Sequence, residues 1–226
     1  MTFPLAEWLP RSSAVNLLAG AFLLSALTVA GQRRLAGAIA GYAWNSACLA
    51  LVAALVAAET GAHHIWLAAG LVFASKAIVI PAVLRSTLAR LRTREAREPT
   101  LGVPLTMLVA GALVVLGFGV TRPLFGASPT ILASCLPVSV ATMLVGLFVM
   151  VTRTQALMQV LGLVLVENAI FLAAVSLTYG MPLVVEMGVL LDVLAGVALL
   201  GLWVGRIEQA FESDDTRRLT SLRDRP

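Results

Sequence analysis

Charged residues in this chain stand so far apart that the intervals between them decide its fold. No Asp, Glu, Lys or Arg falls between Arg11 and Arg33, between Arg34 and Glu59, between Glu98 and Arg122, or between Arg122 and Arg153. Each interval holds about 20 residues or more, enough for a helix to cross a ~30 Å hydrocarbon layer. Only 12% of the chain is charged, against about 25% in soluble domains. Within lipid the backbone must satisfy its own polar groups, and a helix does so inside a single segment. The expected fold is therefore an all-α, polytopic membrane helix bundle.

Seven spans follow from the charge gaps, at approximately 14–31, 35–58, 64–84, 101–120, 130–151, 156–179 and 182–204. Of the 16 cations, 13 fall in one set of loops: Arg33 and Arg34, five arginines between 85 and 97, Arg153, and five from Arg206 onward. The opposite set holds Arg11 and Arg122, and Lys76 lies within a span. The excess of arginine predicts an N-terminus outside and a C-terminus in the cytoplasm, so the net charge of +4 reads as topology and implies no nucleic acid. Thr28-Val29-Ala30 is a weak signal-peptidase site. Cutting there would export the arginine-rich linker, so span one is expected to remain as a mature helix. The expected organisation is four N-terminal helices over 1–129 with an Arg-rich cytoplasmic linker at 85–100, a three-helix module over 130–205, and a cytoplasmic tail at 206–226.

Bond-making chemistry finds little footing. Cys48 and Cys135 stand alone in apolar runs, with no ligand spacing and no disulfide framework. His63 and His64 are neighbours at a span end. They diverge by ~100° on a helix and read as an interfacial cap. No phosphate loop, nucleophile elbow or zinc signature is present.

Four ionisable residues lie within spans: Lys76, Glu167, Glu186 and Asp192. Charges at this depth are expensive, usually face the bundle interior, and mark ion or proton paths; the competing reading is a buried structural ion pair. Five residues after Lys76 comes Pro81, which cannot donate to the carbonyl of Ala77 and should disturb the helix there. Glu167 stands about eleven residues into its span, ~16 Å along the axis. Asn168 beside it carries both a donor and an acceptor, and Gln159, eight residues earlier, is placed to hold a water between the cytoplasm and Glu167. Glu186 and Asp192 are six residues apart and diverge by ~120°, with Asp192 the deeper. The expected proton-transfer residues are Glu167, Asp192, Lys76 and Glu186, supported by Gln159 and Asn168.

The C-terminal third carries three specific strings: QVLGLVLVENAIFLAA from Gln159, SLTYGMPLVVEMGVLLDVLAG from Ser176, and RIEQAFESDDTRRLTSL from Arg206. In these it resembles the hydrogenase-4 component E family, long relatives of the K-type membrane subunit of respiratory complex I and of the C-type subunit of multisubunit cation/proton antiporters. Spans five to seven are similar to the K-type module. Gly162-Leu163 and Asn168-Ala169 match its sixth-span residues, which places the family glutamate at Val164, whereas here the carboxylate stands at Glu167. Positions three apart share a helix face. Asp192, with Gly196 four residues on, takes the place of the second glutamate, one methylene shorter.

The resemblance implies a membrane subunit of a complex I-like hydrogenase or oxidoreductase in the cell inner membrane. Its partners would be other membrane subunits and a cytoplasmic peripheral arm, docked through the arginine-rich linker and the tail. Nickel-iron and iron-sulfur centres would belong to partner subunits, with no cofactor bound by this chain. On that reading the chain is a non-catalytic subunit contributing buried acids to proton translocation. The alternatives are a subunit of a cation/proton antiporter and a non-conducting membrane scaffold.

Overall fold

A computed structural model describes residues 11–60, 63–90, 102–125 and 135–178, and its regular elements there are all helices. In chain order these are α1 (Arg11–Gly31), α2 (Leu35–Thr60), α3 (His63–Val72), a π-helical segment (Phe73–Val79), α4 (Ile80–Arg90), α5 (Val103–Thr121) with a short 3₁₀ turn after it, α6 (Cys135–Thr152) and α7 (Ala156–Thr178). The third expected span is thus one rod from His63 to Arg90 whose middle is wound differently from its ends. Among the described residues, six helical stretches are long and apolar enough to cross a membrane, and they coincide with the first six expected spans. The span expected at 182–204, the tail from Arg206, and residues 91–100 of the linker lie outside the described residues.

These segments wind as helices because their Leu-, Ala- and Val-rich runs leave the backbone no polar partner but itself. Their ends carry the punctuation. Gly31 closes α1, and only Gln32, Arg33 and Arg34 separate it from α2. Pro104 lies in the first turn of α5, preceded by Gly102 at φ +70°, where a missing N–H and a left-handed residue cost least.

Burial follows helical spacing. On α1 the stripe Val15, Ala19, Phe22, Ala26 and Val29 is covered, and on α7 the stripe Leu161, Leu165, Asn168, Leu172 and Val175. α2 is the most central element, packing against α1, the π segment, α4 and α7. The principal helix pairs are α6 with α7, α1 with α2, and α5 with α6. One face of α5, with Leu108, Val115 and Val120, is exposed, as expected of a surface facing lipid.

Arg153 joins two turns. Its Nη2 donates to the carbonyls of Ala30 (2.6 Å) and Gln32 (3.1 Å) at the open end of α1. This brings the 32–34 turn and the 153–155 turn to the same end of the bundle. Burial lowers the guanidinium's pKa from its ordinary value, because desolvation disfavours the charged form. The carbonyls it caps are groups that a helix end otherwise leaves unsatisfied.

The α6–α7 pair depends on two glycines. A Cβ on Gly162 would lie 2.8 Å from the carbonyl oxygen of Gly146, and one on Gly146 would lie 2.9 Å from the carbonyl oxygen of Gly162. The backbones touch, as small residues allow in membrane helix pairs. Gly162→Ala is expected to destabilise the protein by about 1–3 kcal/mol through overpacking. Gly119→Ala, where nothing lies within 4 Å, should leave stability unchanged or slightly raised. Thermal unfolding of the two variants in detergent checks the contrast, which equal melting temperatures would contradict.

Candidate functional site

The buried polar groups converge where α2 lies between the π segment and α7. Lys76 is at the centre of the π segment, only 1% exposed. Across the wide turn the N–H of Ile80 reaches the carbonyl of Ser75, five residues back. Pro81 follows at once. In an α-helix its ring would crowd the carbonyl of Ala77, and a widened turn just before it relieves that crowding. The disturbance expected at Pro81 therefore takes the form of a π segment, a winding that recurs at functional sites.

Lys76 Nζ lies 3.9 Å from Glu167 Oε2, and the Glu167 side chain is 15% exposed. The separation is that of an ion pair, longer than the ~2.7–3.2 Å of a direct N–H···O bond. Each partner offsets part of the other's desolvation, which neither would survive alone in this environment. Val164, at the place the resemblance assigns to a glutamate, is packed in the core.

Next to Glu167 begins a chain of hydrogen bonds through three helices. Asn168 Nδ2 donates to Asn45 Oδ1 and to Ser46 Oγ, both at 2.9 Å. Asn45 Nδ2 donates to the Phe22 carbonyl at 2.8 Å and to Ser25 Oγ at 3.0 Å. The Ser25 hydroxyl closes onto the same Phe22 carbonyl. Asn45, Ser46 and Asn168 are fully buried. The Oδ1 of Asn168 has no hydrogen-bond partner among the described residues.

Of the residues expected at the site, Lys76, Glu167 and Asn168 come together. Gln159 does not join them: it is exposed, and its Nε2 donates to the backbone carbonyl of Arg153 at 3.0 Å, closing the α6–α7 turn. Glu186 and Asp192 lie outside the described residues. Asn45, Ser46 and Ser25 join the site without the cost of a charge to mark them in the sequence. An asparagine and a serine side by side in the apolar run AWNSA were the available signal. Among the described residues no group of three or more His, Cys, Asp and Glu side chains is arranged to hold a metal ion.

A bundle of apolar, membrane-length helices with an opposed lysine and glutamate in its interior defines a class: a multi-pass membrane protein that carries paired charges within the bilayer. The chain is 30% identical over 94% of its length to the uncharacterized protein Rv0085 of Mycobacterium tuberculosis, covering 97% of that protein. It is 25% identical, again over 94% of its length, to hydrogenase-4 component E of Escherichia coli K12, covering 98% of that chain; the Shigella flexneri protein of the same name matches equally. The chain belongs to the hydrogenase-4 component E family. No protein-family model matches it, and no solved structure does.

Two outcomes are expected at the site. Removing one charge, as in Lys76→Met or Glu167→Leu, strands the other and should cost about 3–5 kcal/mol, whereas the double variant should recover most of it. A double-mutant cycle in detergent measures the coupling, and additive losses would count against a net favourable pair. Asn45→Val leaves the Asn168 amide without one acceptor and should cost about 1–3 kcal/mol, read as a lowered melting temperature.

Proposed function

We propose that this chain is a membrane subunit of a complex I-like hydrogenase or related oxidoreductase in the cell inner membrane, and that it contributes buried charges to proton translocation driven by electron transfer elsewhere in the assembly. The name of its relatives, hydrogenase-4 component E, supports membership of a hydrogenase complex. The observation that carries the mechanistic part is the Lys76–Glu167 pair, 3.9 Å apart deep between apolar helices. Intramembrane ionisable groups that face the bundle interior are functional-site candidates, proton relays among them.

In this reading Glu167 and Lys76 are neighbouring stations on the path of a proton. A proton reaching Glu167 removes the carboxylate that holds the ammonium, so Lys76 becomes the better proton donor to its next neighbour. Asp192 and Glu186 would extend the relay along the seventh span, and Asn168, anchored through Asn45 and Ser46, holds the α7 backbone beside Glu167. Nickel-iron and iron-sulfur centres, and any hydrogen chemistry, reside in partner subunits. The orientation places the C-terminus in the cytoplasm, supported by 13 of 16 cations falling on that side.

The test uses the intact complex in inverted membrane vesicles. Glu167→Gln, Lys76→Met and Asp192→Asn are each expected to abolish proton uptake per electron transferred in the complex that assembles, its yield and cofactor content being measured for each variant. Normal proton uptake in all three, with the complex fully assembled, would leave the buried charges a scaffolding role only.

A further inference from the structure

On the outer side of the α1–α2 pair a groove of about 390 Å³ runs along the helices, lined by Ala21, Leu24, Ser25, Thr28, Gln32 and Trp44, with Gly37 and Gly41 in its wall. Its two hydroxyls are engaged, Thr28 donating to the Ser25 carbonyl at 2.7 Å and Ser25 to the Phe22 carbonyl at 2.6 Å, and the Gln32 amide lies at its arginine end. The groove is mostly apolar along Ala21 and Leu24, and the exposed ring of Trp44 edges it. From Ala21 to Gln32 it spans eleven residues, ~16 Å of helix rise. That matches the depth of one leaflet, half of a ~30 Å hydrocarbon layer.

The groove is open along one side, so the acyl chains of a surrounding bilayer lie directly against it. Directly after Gln32 come Arg33 and Arg34, both exposed, at the end of the trough where a headgroup would lie. Two adjacent cations at a membrane surface attract anionic headgroups.

We propose that the α1–α2 groove binds one anionic phospholipid, an acyl chain lying along Leu24, Thr28 and Trp44 and the phosphate held at Arg33 and Arg34. The site is independent of the proton-transfer reading, because none of these residues touches the Lys76–Glu167 pair through a contact that reading uses.

The test is native mass spectrometry of the purified chain, released from micelles containing phosphatidylglycerol or phosphatidylcholine. The expected result is a preference for phosphatidylglycerol that falls roughly thirtyfold in Arg33→Gln/Arg34→Gln, about 2 kcal/mol at ~1 kcal/mol per arginine. Trp44→Ala, an exposed position that keeps both arginines, should weaken both lipids alike. Equal retention of the two lipids by the unaltered chain overturns the proposal. So does a phosphatidylglycerol preference that survives loss of both arginines, or retention of both lipids that is indifferent to Trp44→Ala.

Discussion

An ammonium group surrounded by apolar helices is tolerable only beside an anion, and the rest of this bundle is arranged to supply one. Lys76 meets Glu167 at 3.9 Å, although 91 residues of sequence separate them. The approach depends on rotation as much as on distance, because a slip of one residue in α7 turns every side chain by ~100°. The amide of Asn168, bonded to Asn45 and Ser46 on α2, fixes that rotation at the position next to Glu167. The contact between Gly146 and Gly162 fixes α7 against α6. The ion pair, the amide chain and the glycine contact therefore constrain one helix from three directions.

Much of this was legible in the residues, and what was not has a physical cause. Apolar intervals between charges locate the helices because hydrocarbon admits almost nothing else. Lys76 and Glu167 stood out by their cost in that medium, but with Glu186 and Asp192 equally costly the sequence does not say which acid meets the lysine; helix packing decides it. Pro81 announced a disturbance in its helix but not its kind, since a kink, a break and a π segment all answer to a missing N–H. Asn45 and Ser46 escaped notice because uncharged amides and hydroxyls are cheap enough to be scattered in membrane helices without a role. Arg153 was read as a topology marker alone; its guanidinium also caps α1, a long-range contact that no local pattern carries.

The reach of the family likeness has a similar explanation. The recognisable strings lie in the last third of the chain, yet the relationship extends over 94% of it. Leu, Val, Ile and Ala exchange freely where the surroundings are lipid or an apolar helix face, so identity drains from such spans while their layout persists. Replacing glycines, prolines and polar groups in such spans carries a larger penalty.

A buried ion pair alone argues weakly for function, because two helices in contact can carry one as a structural element. The winding around Lys76 adds the second argument. A regular α-helix would present a lysine to Glu167 as well as any other, and at lower cost than seven residues of π-helix with a proline behind them. An irregular segment placed at the buried cation, and not at a helix end, is where a side chain can change its reach with little rearrangement of its neighbours. The winding at the buried cation and an ion pair longer than a direct hydrogen bond are the two features the proposed proton exchange builds on.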